Sequence, residues 1–327
     1  MQLRKPAVIA LLCTLALAGC ASSSDPTRGS AEPAAPSAAQ SADRASGTPD
    51  RPSSDSSARE TGGFVAVAVG DIVCPPGVAK TPTTCGQAET AALTASLDPD
   101  AVLALGDLQY NAGRLRHFRV SYDKSWGALK SITYPVPGNH EYYTSGASGY
   151  YAYFDKRQPG TPGYYKVMLG DWTAYALNSN CDEINCTREA AWLKRQLGSD
   201  TSCSLFFDHH PRYSSGEHGN DRDMGQFFKI AYDHDVELFL SGHDHDYERY
   251  APMNPDGEIR RRQGVVQYVS GAGGKSHYRA DGDVTGSLSV IDDVFGVLRL
   301  VLRADGYQAS FRDIDARTSD AVRRGCH

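Results

Sequence analysis

Four absences narrow the reading of this 327-residue sequence. Lys and Arg number 33 against 39 Asp and Glu, a formal net charge of −6. That leaves no cationic excess for neutralising a nucleic-acid backbone, so no nucleic-acid partner is expected. No apolar run reaches the roughly 20 residues that cross a bilayer as a helix. No Cys-x-x-Cys pair occurs, which removes the usual spacing of a structural zinc site. No internal repeat and no sustained heptad run is present, so a solenoid or a coiled coil is not expected. Large apolar residues are also nearly wanting from Ala21 to Gly62, a stretch of Ser, Ala, Pro, Asp and Arg. Such a segment cannot bury enough surface to offset its ordering entropy and reads as a disordered tether.

The residues before the tether read as an export signal. Arg4 and Lys5 lead an apolar core from Ala7 to Ala18, too short to span a membrane. It ends in Leu17-Ala18-Gly19-Cys20, which resembles a bacterial lipobox. The resemblance implies cleavage before Cys20, lipid on its thiol, and anchorage outside the cell membrane through that lipid alone. An ordinary signal peptide and secretion is the alternative. The expected organisation is a leader over 1–19, a lipidated tether over 20–62 and one folded domain over 63–327. An exported domain with six further cysteines, Cys74, Cys85, Cys181, Cys186, Cys203 and Cys326, is expected to carry three disulfides. Proximity favours Cys74–Cys85 and Cys181–Cys186, leaving Cys203–Cys326.

Within the domain, helical and strand patterns alternate. Strands are expected over Phe64–Val69 and Ala101–Leu105, in a short segment ending at Val136, and over Ser204–Phe207 and Val236–Leu240. Helices are expected over Gln87–Leu97, Leu115–Leu129, Arg188–Leu197 and Met224–His234. Tyr164–Leu169 and Trp172–Leu177 read as a hairpin around Gly170-Asp171. The end, Val265–Val269, Val297–Leu302 and Tyr307–Phe311, is all strand. Interleaved helices followed by paired strands predict a mixed α/β sandwich.

Five polar blocks come directly after strands: Gly70-Asp71, Gly106-Asp107-Leu108-Gln109-Tyr110, Gly138-Asn139-His140-Glu141, His209-His210-Pro211 and Gly242-His243-Asp244-His245. Residues at the carboxyl ends of strands converge on one rim in α/β proteins. Two carboxylates, a phenol, an amide and three imidazoles exceed what a single ion takes, and without cations Asp71 and Asp107 would repel each other. Two ions fit that set better than one.

The order Gly-Asp, Gly-Asp-x-x-Tyr, Gly-Asn-His-Glu, His-x-Pro, Gly-His-x-His resembles the calcineurin-like metallophosphoesterases. Tyr110, and the run His243-Asp244-His245-Asp246-Tyr247-Glu248-Arg249, look like their purple acid phosphatase branch. The resemblance implies a sandwich of two mixed β-sheets flanked by helices, in α/β/β/α layers. It implies one metal on Asp71, Asp107, Tyr110 and His245, and a second on Asp107, Asn139, His209 and His243. The first would be ferric iron and the second zinc, iron or manganese, as hard oxygen donors and borderline imidazoles respectively suit. A ferric ion on Tyr110 would colour the protein purple or pink. His140 corresponds to a histidine that contacts phosphate, and His218 lies near one that assists the leaving group.

Three departures from the family pattern stand out. Asp71-Ile72-Val73 replaces Asp-x-Gly, Phe206-Phe207-Asp208-His209 replaces Val-x-x-His with His210 as a rival register, and the N-terminal β domain of larger plant relatives is replaced by the tether. The implied activity is two-metal hydrolysis of phosphoric esters outside the cytoplasm, monoesters first, through attack of a hydroxide held at the metals. A phosphodiesterase or nucleotidase on the same site is the alternative within that class. A surface lipoprotein that binds metal or a phosphorylated ligand without turnover is the alternative outside it.

Overall fold

Alternation within short apolar runs decides the layers. In the first strand, Ala66 and Ala68 pack into one buried cluster while Val67 and Val69 pack into another, because successive side chains of a strand point to opposite faces. A strand buried on both faces must lie between two apolar layers. The computed structural model describes residues 62–198, 202–281 and 283–327; the leader, Cys20 and the tether before Gly62 lie outside the described residues.

In chain order the elements are β1 (Phe64–Val69), α1 (Gln87–Ser96), β2 (Ala101–Leu105), α2 (Leu115–Val120), β3 (Thr133–Val136), α3 (Asn139–Tyr142) and α4 (Ser148–Phe154). Next come β4 (Tyr165–Leu169), β5 (Trp172–Ala176), α5 (Cys186–Leu197), β6 (Ser204–Phe207), α6 (Gly225–Asp233), β7 (Leu238–Ser241), β8 (Tyr247–Tyr250) and β9 (Val266–Ser270). The last are β10 (Ser287–Ile291), β11 (Gly296–Arg303), β12 (Gly306–Asp313) and β13 (Thr318–Gly325).

One sheet has the order β13-β12-β11-β1-β2-β3 and the other β10-β8-β9-β7-β6-β5-β4. Both are mixed. β1, β2 and β3 run parallel, as do β5, β6, β7 and β9, and the remaining pairs are antiparallel. Between the sheets lies a core that includes Ala66, Leu103, Leu105, Phe207, Leu240 and Tyr268. Residues of α1, α2 and α4 cover the outer face of the first sheet, and those of α5 and α6 the outer face of the second. This is the expected α/β/β/α sandwich.

Hydrogen bonds tie the two sheets at one end. Gly70 N–H donates to Ser270 O at 2.8 Å, and Ser270 Oγ donates to Ala68 O at 3.0 Å. The carboxyl end of β1 is thus fastened to that of β9, across the core.

The expected helix over Leu115–Leu129 is broken. α2 ends at Val120, and two 3-10 segments run over Tyr122–Lys124 and Trp126–Ile132. Ser121 and Ser125 leave helical geometry (φ −123°, ψ −60° and φ −120°, ψ −72°). Tyr122, Trp126 and Leu129, which keep the i, i+4, i+7 spacing of a helix face, are buried all the same. The three disulfides pair as expected, with Cα separations of 5.4 Å for Cys74–Cys85, 5.3 Å for Cys181–Cys186 and 5.9 Å for Cys203–Cys326.

Candidate dinuclear metal centre

Every block singled out in the sequence ends on the same rim. Asp71 follows β1, Asp107 follows β2, Asn139 follows β3, His209 follows β6, and His243 and His245 follow β7. Three of these adopt left-handed backbone, Asp71 at φ 59°, Asp107 at φ 50° and His243 at φ 75°. Non-glycine residues pay for that conformation, and it persists where the surroundings over-determine it, commonly at functional sites. Close backbone approach also needs glycine. A Cβ on Gly106 (φ 80°) would come 2.6 Å from His209 Nδ1, and one on Gly138 would come 2.1 Å from Asp107 Oδ1.

The donors form two adjoining groups. In the first, Tyr110 O–H donates to Asp71 Oδ1 at 2.8 Å and lies 3.0 Å from His245 Nε2. His245 Nε2 is 3.4 Å from Asp71 Oδ1. In the second, His209 Nε2 lies 3.1 Å from Asn139 Oδ1, 3.2 Å from His243 Nδ1 and 3.5 Å from Asp107 Oδ1. Asp107 stands between the groups: one ligand atom each of Asp71, Asp107 and His209 lies within 4.8 Å of the others.

The chemistry of this donor set fits cations. His209 Nδ1 donates to Leu105 O at 2.8 Å, so Nε2 is the atom that faces Asn139, Asp107 and His243. Asn139 Oδ1 and the Asp107 oxygens offer only lone pairs there. A proton on Nε2 satisfies one of them at a time, whereas a cation satisfies all. The charges within the cluster point the same way. Burial would raise the Asp107 carboxyl, but His209 above all, then His140 and His243, hold it well below the usual carboxylate range. Burial would lower His209, yet Asp107 holds its proton and pushes it up to about 10. Burial, then Asp107 and Asp71, keeps the Tyr110 phenol protonated. Protons occupy the places of positive charge.

Three further histidines surround the cluster. His140 Nδ1 lies 2.6 Å from Asn111 O, and the ring packs 4.3 Å from Tyr110 with Nε2 3.8 Å from Asp107 Oδ2. The His218 ring stacks on His243 at 4.1 Å and 22°. His210 also borders His243, with ring centroids 4.5 Å apart.

Hydrogen bonding separates His209 from its rival His210. Ser179 Oγ accepts the backbone N–H of His209 at 3.3 Å and of His210 at 3.1 Å. Its own proton then goes to His210 Nδ1, 2.7 Å away. His210 therefore carries its ring proton on Nε2, whereas the Nδ1 proton of His209 goes to Leu105 O, so Nε2 is the nitrogen that it would turn to a cation.

Two positioning carboxylates escaped the sequence reading. Glu141, fully buried, accepts backbone N–H groups from Gly138 and from Asp107, Leu108 and Gln109. Asp244, between the two histidines of its block, accepts from Ser214 Oγ, from His218 N at 2.8 Å and from Gly219 N at 3.3 Å. It thereby fixes the loop that carries His218. Both stand inside the quoted motifs, but nothing local distinguishes a residue that holds the site from one that lines it.

The sequence model of the calcineurin-like phosphoesterase family matches residues 65–247, a span that takes in all seven candidate ligands. The chain belongs to that family. The family's fold implies a dinuclear metal centre. A comparison with curated proteins finds no match.

Among solved structures it resembles purple acid phosphatase PPD1 from yellow lupin (Lupinus luteus) seeds, with a TM-score of 0.64 and 20% identity over 80% of this chain. This chain spans 53% of the lupin protein. GAP50 of Plasmodium is similar too, with a TM-score of 0.57 and 14% identity over 81% of this chain and 90% of its own. PhoD has a TM-score of 0.55 and 12% identity over 81% of this chain and 68% of its own.

Proposed function

We propose that this protein hydrolyses phosphate monoesters outside the cytoplasm, tethered by lipid on Cys20. The observation that carries the catalytic part is the pair of donor groups meeting at Asp107. In this reading Asp71, Asp107, Tyr110 and His245 hold a ferric ion, and Asp107, Asn139, His209 and His243 hold zinc, iron or manganese. Two bound cations supply neutralisation of the phosphate and acidification of a water at its phosphorus.

The chain's residues do the rest. Asp71 and Asp107 set the spacing of the centre from the ends of β1 and β2. The Tyr110 phenol, whose O–H now donates to Asp71 Oδ1, would release that proton to solvent on binding a cation. His140, with Nδ1 tied to Asn111 O, directs Nε2 toward a phosphate oxygen at Asp107. His218, stacked on His243 and with its backbone N–H held by Asp244, would protonate the departing alkoxide. The leader over 1–19, the tether over 20–62 and the catalytic domain from 63 complete the proposed organisation.

The test assays chromogenic phosphate mono- and diesters side by side, with metal content and visible absorption measured on the same protein and Asp107→Ala as control. Faster monoester cleavage, lost with Asp107→Ala by at least ~10²-fold, supports the reading. A diester preference assigns the site to a phosphodiesterase. A colourless, iron-free and fully active enzyme defeats the ferric assignment.

Binding without turnover is the second reading. The likeness to GAP50, described as the anchor in the inner membrane complex of Plasmodium, supports considering it. Metal-loaded protein that turns over neither ester would favour it. Labelling of the exported chain with a fatty-acid probe, abolished by Cys20→Ser, tests the anchor.

A further inference from the structure

The segment 271–278 packs against the candidate metal centre, and its backbone is held at several points. Lys275 N–H donates to Asp71 O at 2.9 Å, and Cys85 N–H, in the Cys74–Cys85 bridge, donates to Lys275 O at 3.3 Å. Ser276 Oγ lies 2.8 Å from His245 Nδ1, and the Tyr278 ring stacks on His245 at 3.8 Å and 8°. With its backbone fixed, the Lys275 side chain lies over Tyr110, Nζ 5.1 Å from the ring centroid. No described carboxylate comes within 4.0 Å of that ammonium, although Asp71 and Asp107 are close enough to act on it. Tyr110 is also the ring against which His140 packs. A half-buried lysine and a histidine therefore flank one phenol at the mouth of the centre.

We infer that the Lys275 ammonium binds a substrate phosphate oxygen and selects esters whose phosphate carries two negative charges, that is, monoesters over diesters. The inference rests on the phosphoesterase reading and deepens it. A monoester's second ionisation lies near pH 6, so at neutral pH its phosphate is largely a dianion with three free oxygens. A diester carries one charge and has two free oxygens. A point charge beyond those held by the metal ligands meets the third oxygen of the former and has no counterpart on the latter. Lysine suits this role because its ammonium is compact and its stem can extend from a fixed backbone.

The experiment compares wild type, Lys275→Met and Lys275→Arg at neutral pH. It reads kcat/KM for 4-nitrophenyl phosphate and bis(4-nitrophenyl) phosphate, inorganic phosphate binding by calorimetry, and Tm. Loss of a charge-assisted hydrogen bond is worth about tenfold or more. Lys275→Met is therefore expected to lose that much kcat/KM on the monoester and in phosphate affinity, while the diester changes by less than about threefold. Lys275→Arg should recover most of the monoester rate. An equal fall on both esters, a lowered Tm with an unchanged ester ratio, or no change at all would overturn the inference. Should wild type cleave neither ester, the phosphoesterase reading fails separately, and phosphate binding alone decides: weakened by Lys275→Met it supports the site, unchanged it removes it.

Discussion

The Glu141 carboxylate accepts the backbone N–H of Asp107 at 2.9 Å, and His140, the residue beside Glu141, donates its own N–H to Asp107 Oδ1 at 2.8 Å. The turn after β3 thus holds both the backbone and the side chain of the turn after β2. Glu141 reaches three more N–H groups, those of Leu108 at 3.1 Å, Gln109 at 3.2 Å and Gly138 at 2.8 Å. Asp107 is consequently aimed from outside its own strand.

Glu141→Ala should therefore be among the most damaging single substitutions away from the ligands. Four buried N–H groups would lose their acceptor, at about 1–3 kcal/mol each. A loss of roughly 4 kcal/mol or more is expected in urea unfolding. Glu141→Gln, with one acceptor oxygen left, should fall between. A loss below about 1 kcal/mol for the alanine variant would show that water or relaxation replaces the carboxylate.

His209 and His210 should respond oppositely to alanine. His209→Ala removes the ring nitrogen that faces Asn139 and His243, so metal content per chain should fall by about one ion at sub-micromolar metal. His210→Ala removes a ring whose Nδ1 is engaged by Ser179 and should leave the metal content unchanged. Elemental analysis of the two purified variants reads this directly, and loss of metal from His210→Ala alone would reverse the register.

Stability should depend on pH through Glu189. This residue is fully buried in α5; Oε1 accepts Asn178 N–H at 2.9 Å and Oε2 has no hydrogen-bond partner among the described residues. Burial, only partly opposed by the bond from Asn178, pushes its carboxyl well above the usual range, and Asp208 adds to the rise. The folded state therefore binds a proton that the unfolded state releases. The stabilisation is fully present below the unfolded pKa near 4.5 and is lost as pH rises toward the folded value. Glu189→Gln keeps the acceptor and removes the charge. Its Tm relative to wild type should rise between pH 4 and pH 8, and a flat difference across that range would assign the proton elsewhere.

Much of the centre was legible because its parts are local. Asp71, Asp107, Asn139, His209 and His243 each follow an apolar strand within a few residues, and strand ends on one side of a parallel arrangement must share a rim. The alternation in β1 and the hairpin of β4 and β5 are equally short-range. β13 carries no such signal, since it is an edge strand rich in polar and charged residues and no apolar period marks it. The break after Val120 is hidden too, because helical periodicity continues through it and Tyr122 and Trp126 stay buried.

The His-x-Pro block already favours His209 over His210, and the tertiary structure supplies a physical reason for that register. Both are imidazoles in the same turn, and their ring tautomers are set by Leu105 and Ser179, partners distant in sequence. Only the tertiary structure decided that Glu141 and Asp244 position rather than line the site, and that Lys275 lies over Tyr110. The amino-acid order by itself determined which chemical groups arrive at the rim, because each polar block is joined directly to the strand that carries it there. Which atom of each group points inward depends on hydrogen bonds across the two sheets, and those exist only once the sandwich has closed.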